Sequence, residues 1–286
     1  MATELPSSVQ QLVTLALHED IGNGDVTALY FVPEGSRSRG RIVAREPGVA
    51  AGTEVARAVF EAVDAAIAVQ ILKPDGSSFE KGDALLELSG PSRSLLTAER
   101  TALNFLQRLS AIATQTRRYV DAVKPHPVKV LDTRKTTPGL RALEKAAVRA
   151  GGGTNYRQGL YDMVMVKDNH LLANDRLEDL QAAIHRLQAE RPGVKVELEA
   201  DTLDQVRGFL TLQGVDVILL DNMPTSTMRE AVALVGGKVA LEASGGVTLE
   251  TIGRIAATGV DYISVGALTH TVRALDLSLE FEPGAA

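Results

Sequence analysis

Between Val128 and His270 the chain repeats one unit, an apolar, β-rich run that ends on a charged or small polar residue. The endings fall at Arg134-Lys135, Lys167, Glu199, Asp221, Ser244-Gly245-Gly246 and Gly266-Ala267. From Glu199 to Asp221 is 22 residues and from Asp221 to Glu242 is 21, room for one strand, one helix and two short loops. That is the rhythm of a β/α barrel. Side chains at the carboxyl ends of parallel barrel strands converge on one mouth, so these endings are expected to share a single site.

The flanking sequence reads as a separate α/β layer. Residues 7–18 have the pattern of a helix, Arg39 to Arg45 and Ile67 to Lys73 alternate like strands, and Ala84 to Leu88 is a further strand. Thr53 to Asp64 is a helix with Val55, Val59, Phe60 and Val63 on one face. The turn-rich Glu19-Asp-Ile-Gly-Asn-Gly-Asp25 superficially resembles a calcium loop. It lacks an acid or amide at the third position, and the twelfth is Phe31 where a Glu is needed, so no metal is expected there. A long helix from Ser94 to about Val123 is expected to bridge two domains until Lys124-Pro-His-Pro127 stops it. Val272 to Phe281 has an apolar rhythm without a chemical ending and is expected to pack back on the first domain.

Composition narrows the class. With 45% hydrophobic residues in 286 there is ample material for a core, and the absence of Cys removes both a disulfide framework and a thiol nucleophile. No apolar run approaches membrane-spanning length and no basic leader precedes one, so a cytoplasmic protein with no membrane partner is expected. A net charge of −6 argues against nucleic acid. Yet Lys124 to His170 holds nine Lys or Arg against four acids, an excess of five positive charges that points to a small anionic ligand.

The endings then divide the chemistry. Arg134 offers a planar fork and Lys135 a point charge for carboxylate or phosphate. Gly151-Gly-Gly153 is either a helix cap or a loop that admits a ligand close to backbone, ahead of Tyr156, Arg157 and Lys167 as an anion-binding group. Asp168 reads as a helix N-cap. Two carboxylates, Glu199 and Asp221, in a basic site would repel an anion unless a hard cation sat between them, so Mg²⁺, or Mn²⁺, is expected; the competing reading pairs each with a nearby Lys or Arg. Glu197 shares the face of Glu199 and could salt-bridge Lys167 or Lys135. Ser244, Gly245, Gly246, Gly266 and Ala267 are suited to a monophosphate nest at helix N-termini, with His270 capping or touching the ligand. His18, His126 and His185 read as surface histidines.

Several of these stretches together resemble the quinolinate phosphoribosyltransferases, members of the type II phosphoribosyltransferases. They are Asp132-Thr-Arg-Lys-Thr-Thr-Pro-Gly-Leu-Arg, Gly151-Gly-Gly, Lys167-Asp-Asn-His, Leu220-Asp-Asn, Glu242-Ala-Ser-Gly-Gly-Val and Val265-Gly-Ala-Leu-Thr-His, with Glu19-Asp-Ile-Gly-Asn-Gly-Asp-Val-Thr and Ala98-Glu-Arg-Thr-Ala-Leu-Asn104 upstream. The resemblance implies an N-terminal α/β open sandwich, residues 1–112 with 271–286, and an incomplete β/α barrel, residues 113–270. It implies transfer of a phosphoribosyl group from phosphoribosyl pyrophosphate to quinolinate with Mg²⁺ and decarboxylation, in a homodimer or an assembly of dimers with shared sites. On this likeness Arg134, Arg157 and Lys167 are carboxylate clamps and Lys135 faces pyrophosphate. Glu199 and Asp221 face metal and ribose, and Ser244, Gly245, Gly246, Gly266 and His270 surround the 5-phosphate. Arg100 reaches into a neighbouring subunit.

One departure stands out. The family usually reads Asn-His-Arg where this chain has Asn155-Tyr156-Arg157, and a phenol can donate a hydrogen bond but brings no positive charge near neutral pH. Other readings stay open at this point. They are a same-fold paralogue acting on another acid such as nicotinate, a barrel aldolase with Lys167 as a Schiff base, and a phosphosugar sensor without catalysis.

Overall fold

The structure is a computed structural model that describes residues 5–167 and 176–282. In chain order its strands are β1 (Arg37–Ala44), β2 (Gly48–Val49), β3 (Ala68–Ile71), β4 (Ser78–Phe79), β5 (Ala84–Pro91), β6 (Lys129–Leu131), β7 (Met163–Val166), β8 (Lys195–Ala200), β9 (Val217–Asp221), β10 (Ala240–Ser244), β11 (Tyr262–Ser264) and β12 (Leu277–Phe281). They divide between two compact units. One comprises Met1–Arg117, Thr137–Gly152 and Thr271–Ala286, the other Arg118–Thr136 and Gly153–His270. The long helix Ser92–Ala122 supplies residues to both.

The first unit holds an antiparallel sheet in the order β12-β1-β5-β3. In β1 the residues alternate, with Gly40, Ile42 and Ala44 buried and Arg37, Arg39 and Arg41 exposed, the period of a strand with one face on a core. Val55, Val59 and Phe60 of the helix Thr53–Val63 are buried, as their 3–4 residue spacing demands. The final segment returns here, since β12 pairs with β1 from Gly40↔Phe281 to Ala44↔Leu277. A short helix, Val26–Phe31, was not foreseen. Asp25 explains it: its carboxylate accepts from the Ala28 N–H at 2.9 Å, an N-cap that holds its pKa below the usual range. The other oxygen accepts from Thr97, so this acid of the calcium-like loop is committed to capping.

Residues 137–152, placed in the barrel from sequence, pack with the first unit. Glu144, fully buried on the helix Arg141–Ala150, accepts from Arg108 at 2.9 Å and from Thr137 Oγ1 at 2.8 Å. The first glycine of Gly151-Gly-Gly153 closes that helix against the long one. A Cβ on Gly151 would lie 2.4 Å from the Ala113 carbonyl oxygen, so the residue is there for packing and not for ligand access.

The second unit is a six-stranded, all-parallel sheet in the order β6-β11-β10-β9-β8-β7. That order is the chain order wrapped round a ring, with β11 closing on β6 and no pairing between β6 and β7 among the described residues; this is an incomplete barrel opened between its first two strands. Burial on both faces gives near-continuous apolar runs, as in Val217-Ile-Leu-Leu220. The helices Leu177–Glu190, Leu203–Phe209, Thr225–Val235 and Leu249–Ala256 alternate with the strands. Among the described residues no helix is long and apolar enough to cross a membrane.

Candidate active site at the carboxyl ends of the barrel strands

A cavity of about 790 Å³ opens where the strands end. Arg134, Lys135, Tyr156, Arg157, Lys167, Glu199, Asp221, Ser244, Gly245, Gly246, Gly266, Ala267 and His270 all line it. Arg100 does not; it stands exposed on the long helix in the first unit. Of the nine cations between Lys124 and His170, four reach the cavity; of the other five, Arg141, Lys145 and Arg149 belong to the helix Arg141–Ala150 of the first unit. Asp168 and its expected N-cap lie outside the described residues.

The basic side is built from two loops. After β6 the chain turns through Thr133, whose Oγ1 accepts from the Lys135 N–H at 3.0 Å, while the Lys135 carbonyl accepts from Thr269 at 2.7 Å. These bonds fix the backbone under both cations. Arg157 donates to the Met163 carbonyl at 3.2 Å. The Nε atoms of Arg134 and Arg157 are buried and find no acceptor among the described residues. Buried donors need partners, so both forks are set up for an anion.

Opposite them Lys167 donates to Glu199 at 2.6 Å. Glu199 therefore has the lysine partner that the competing sequence reading gave it. Asp221 accepts from Asn222 Nδ2 at 2.6 Å and is half-buried at the end of β9. Asn222 has φ 51°, a left-handed backbone that Asn tolerates better than most residues. The turn above it requires glycine, since a Cβ on Gly245 (φ 95°) would sit 2.1 Å from Asn222 Oδ1. From there the loop runs into Thr248, N-cap of the helix Leu249–Ala256, so backbone N–H groups and a helix N-terminus face the cavity together. Gly266 opens the short helix Ala267–His270 beside it.

A second tier lies two residues further in. Met165, Leu219, Glu242 and Ser264 line the cavity below Lys167, Asp221, Ser244 and Gly266. Reading each ending back by two, the strand period, would have found them. Glu197 is buried in the same tier and pairs with neither Lys167 nor Lys135; it accepts a hydrogen bond from the Tyr156 phenol. Burial and the Glu197 charge push the Tyr156 pKa far up, so the phenol is a permanent donor.

Burial, then the facing Glu197, raises the Glu242 pKa well above 4.5. A carboxyl raised on folding stabilises the fold below its unfolded value, and this contribution is lost as pH climbs through the folded value. Stability should thus fall as pH rises above the ordinary carboxylate range, and Glu242→Gln should flatten that slope. Urea midpoints along that rise test it; identical slopes for the two proteins would show that Glu242 does not titrate in this way.

Comparison with known proteins gives a consistent picture. The model of the quinolinate phosphoribosyl transferase N-terminal domain matches residues 25–110, and that of the C-terminal domain matches residues 112–280. Nicotinate-nucleotide pyrophosphorylase [carboxylating] of Mycobacterium leprae is 43% identical over 279 residues, 96% of this chain and 97% of the relative. Quinolinate phosphoribosyltransferase [decarboxylating] 2 of Nicotiana glauca is 42% identical over 290 residues, 96% of this chain and 82% of the relative. Among solved structures, the nicotinate-nucleotide pyrophosphorylase of Francisella tularensis superposes with a TM-score of 0.91 at 37% identity, covering 99% of both chains.

Proposed function

The chain belongs to the quinolinate phosphoribosyltransferase family, and on that premise we propose that the barrel mouth moves the phosphoribosyl group of phosphoribosyl pyrophosphate onto the ring nitrogen of quinolinate. The products are nicotinate mononucleotide, pyrophosphate and carbon dioxide, a step of NAD biosynthesis. The observation that carries this reading is one cavity holding four cations, two carboxylates at strand ends and a glycine-lined helix N-terminus. A dicarboxylate, a diphosphate and a 5-phosphate use all of it.

In this reading Arg134, Arg157 and Lys167 hold the two carboxylates of quinolinate and Lys135 faces the pyrophosphate. Ser244, Gly245, Gly246, Gly266, Ala267 and His270 surround the 5-phosphate. The pyridine nitrogen forms a bond to the anomeric carbon as the bond from that carbon to the pyrophosphate oxygen breaks. Positive charge develops on the ribose ring, and Glu199 and Asp221 stabilise it electrostatically. The ribosylated ring is a cation. It accepts the electron pair of the bond to the 2-carboxylate, carbon dioxide leaves, and a proton then completes the ring carbon.

The donor set fits a divalent ion in a limited way. Glu199 and Asp221 are hard oxygen ligands, one of them already paired with Lys167, and among the described residues no group of three His, Asp or Glu gathers. Such a pair suits Mg²⁺ or Mn²⁺ held chiefly through substrate oxygens and water. When bound, the ion would offset the charge of the departing pyrophosphate.

Release of labelled carbon dioxide from carboxyl-labelled quinolinate, dependent on phosphoribosyl pyrophosphate, is the expected result; no release with both substrates present overturns the assignment. Schiff-base chemistry at Lys167 would require its Nζ to leave the ion pair with Glu199. Arg157→Ala should weaken quinolinate binding by about 2 to 4 kcal/mol, the scale for breaking a desolvated charge pair. Arg157→Lys should recover little, because the fork is lost. Calorimetric titration with quinolinate checks both, and full recovery by Lys would make bidentate geometry irrelevant.

A further inference from the structure

Among the described residues a short strap, 154–157, lies at the open side of the barrel. Thr154 pairs with the free edge of β6, donating its N–H to the Val130 carbonyl at 2.8 Å and accepting from the Asp132 N–H at 3.2 Å. The Asp132 carboxylate is fully buried and takes the next two residues as well, Asn155 Nδ2 at 2.6 Å and the Tyr156 N–H at 2.7 Å. Tyr156 then reaches over to β8, where its phenol donates to Glu197. Arg157 follows at once, with its guanidinium carbon 5.7 Å from the centre of the Tyr156 ring.

Tyr156 thus ties β6 to β8 without any strand pairing between β6 and β7. We infer that Tyr156 is a positioning residue, which hooks the 154–157 strap onto Glu197 and so sets the Arg157 fork for the substrate carboxylate. The phenolic hydrogen is directed at Glu197, and the Arg157 guanidinium that follows it on the strap lines the same cavity. The inference rests on the reading of Arg157 as a carboxylate clamp. It gives Tyr156 a task different from supplying charge: a neutral donor of fixed reach holds a neighbouring cation in place, which suits a position between a buried carboxylate and an arginine.

The test is a double-mutant cycle on the full-length protein, with Tyr156→Phe, Arg157→Lys and the pair together. Tyr156→Phe should raise the KM for quinolinate about tenfold, the scale for losing a hydrogen bond to a charged group. It should move the KM for phosphoribosyl pyrophosphate less than about twofold. The double variant should be little worse than Arg157→Lys alone, because residues that act as a unit are non-additive. An unchanged quinolinate KM in Tyr156→Phe, or losses that simply multiply in the double variant, would overturn the inference. A fall in melting temperature with neither kinetic effect would also overturn it, since the role would then be structural. If Tyr156→Phe does not fold, Asp132→Asn takes its place: it removes one of the two anchor bonds, a smaller quinolinate-selective loss is expected, and no loss defeats the idea. Wild-type protein that releases no carbon dioxide from quinolinate would instead strike at the enzymatic reading, so the two failures are separable.

Discussion

Changing Glu199 and Asp221 together to Ala should lower turnover by about a thousandfold or more, the scale for removing preorganised charge from a transition state. On the proposed reading two effects add: the anomeric carbon would lose the anionic groups that answer its developing positive charge, and a divalent ion would lose the protein's share of its ligands. The single variants should differ. Glu199 also pairs with Lys167 across 2.6 Å, so Glu199→Ala removes that ion pair and should change quinolinate binding along with turnover. Asp221 is bonded only to its neighbour Asn222 among the described contacts, so Asp221→Ala should act mainly on turnover. Chelation of divalent metal in the wild type should imitate the double variant, and Mn²⁺ binding in the presence of pyrophosphate, followed by electron paramagnetic resonance, should weaken in it. Full activity in the double variant, or in excess EDTA, would remove the metal assignment.

What was legible in the sequence follows from strand periodicity. An apolar run closed by Asp221 or Lys167 can end only at a wet boundary, and six such runs with their charged or small polar endings require a shared mouth, so the upper tier of the cavity could be read directly. The lower tier was hidden because its members lie inside the strand runs and no charged or polar ending marks them. Glu242 sits inside Ala-Leu-Glu-Ala and Leu219 inside Ile-Leu-Leu, and only the parity relative to Ser244 and Asp221 marks them. Glu197 was on the right face, but its partner was misjudged, since a charge count favours lysine while the barrel gap brings in a tyrosine 41 residues earlier. Gly151 was ambiguous for a different reason. Closeness to a ligand and closeness to a helix both call for glycine, and only the Ala113 carbonyl decides between them. The excess of positive charge from Lys124 to His170 was likewise real but divided, because charge along a chain does not record which helix turns away.

Mixing Arg100→Ala subunits with Lys135→Ala subunits should restore about half of the wild-type activity per hybrid dimer, although each variant alone should be nearly inactive. The proposal behind this is that Arg100 serves the site of a neighbouring subunit. Arg100 is exposed on the helix Ser92–Ala122 and is not part of the cavity lining, whereas Lys135 lines the cavity at the end of β6. In a two-fold dimer with exchanged arginines, the subunit carrying Arg100→Ala keeps its own Lys135 and receives a wild-type arginine from its partner, so that site is complete. The other site lacks both groups. If Arg100 acted within its own subunit, each site of the hybrid would lack one group and nothing would be recovered. Differently tagged subunits, co-purified through both tags, show that hybrids have formed; hybrids as inactive as their parents would place Arg100 in its own subunit or outside the reaction.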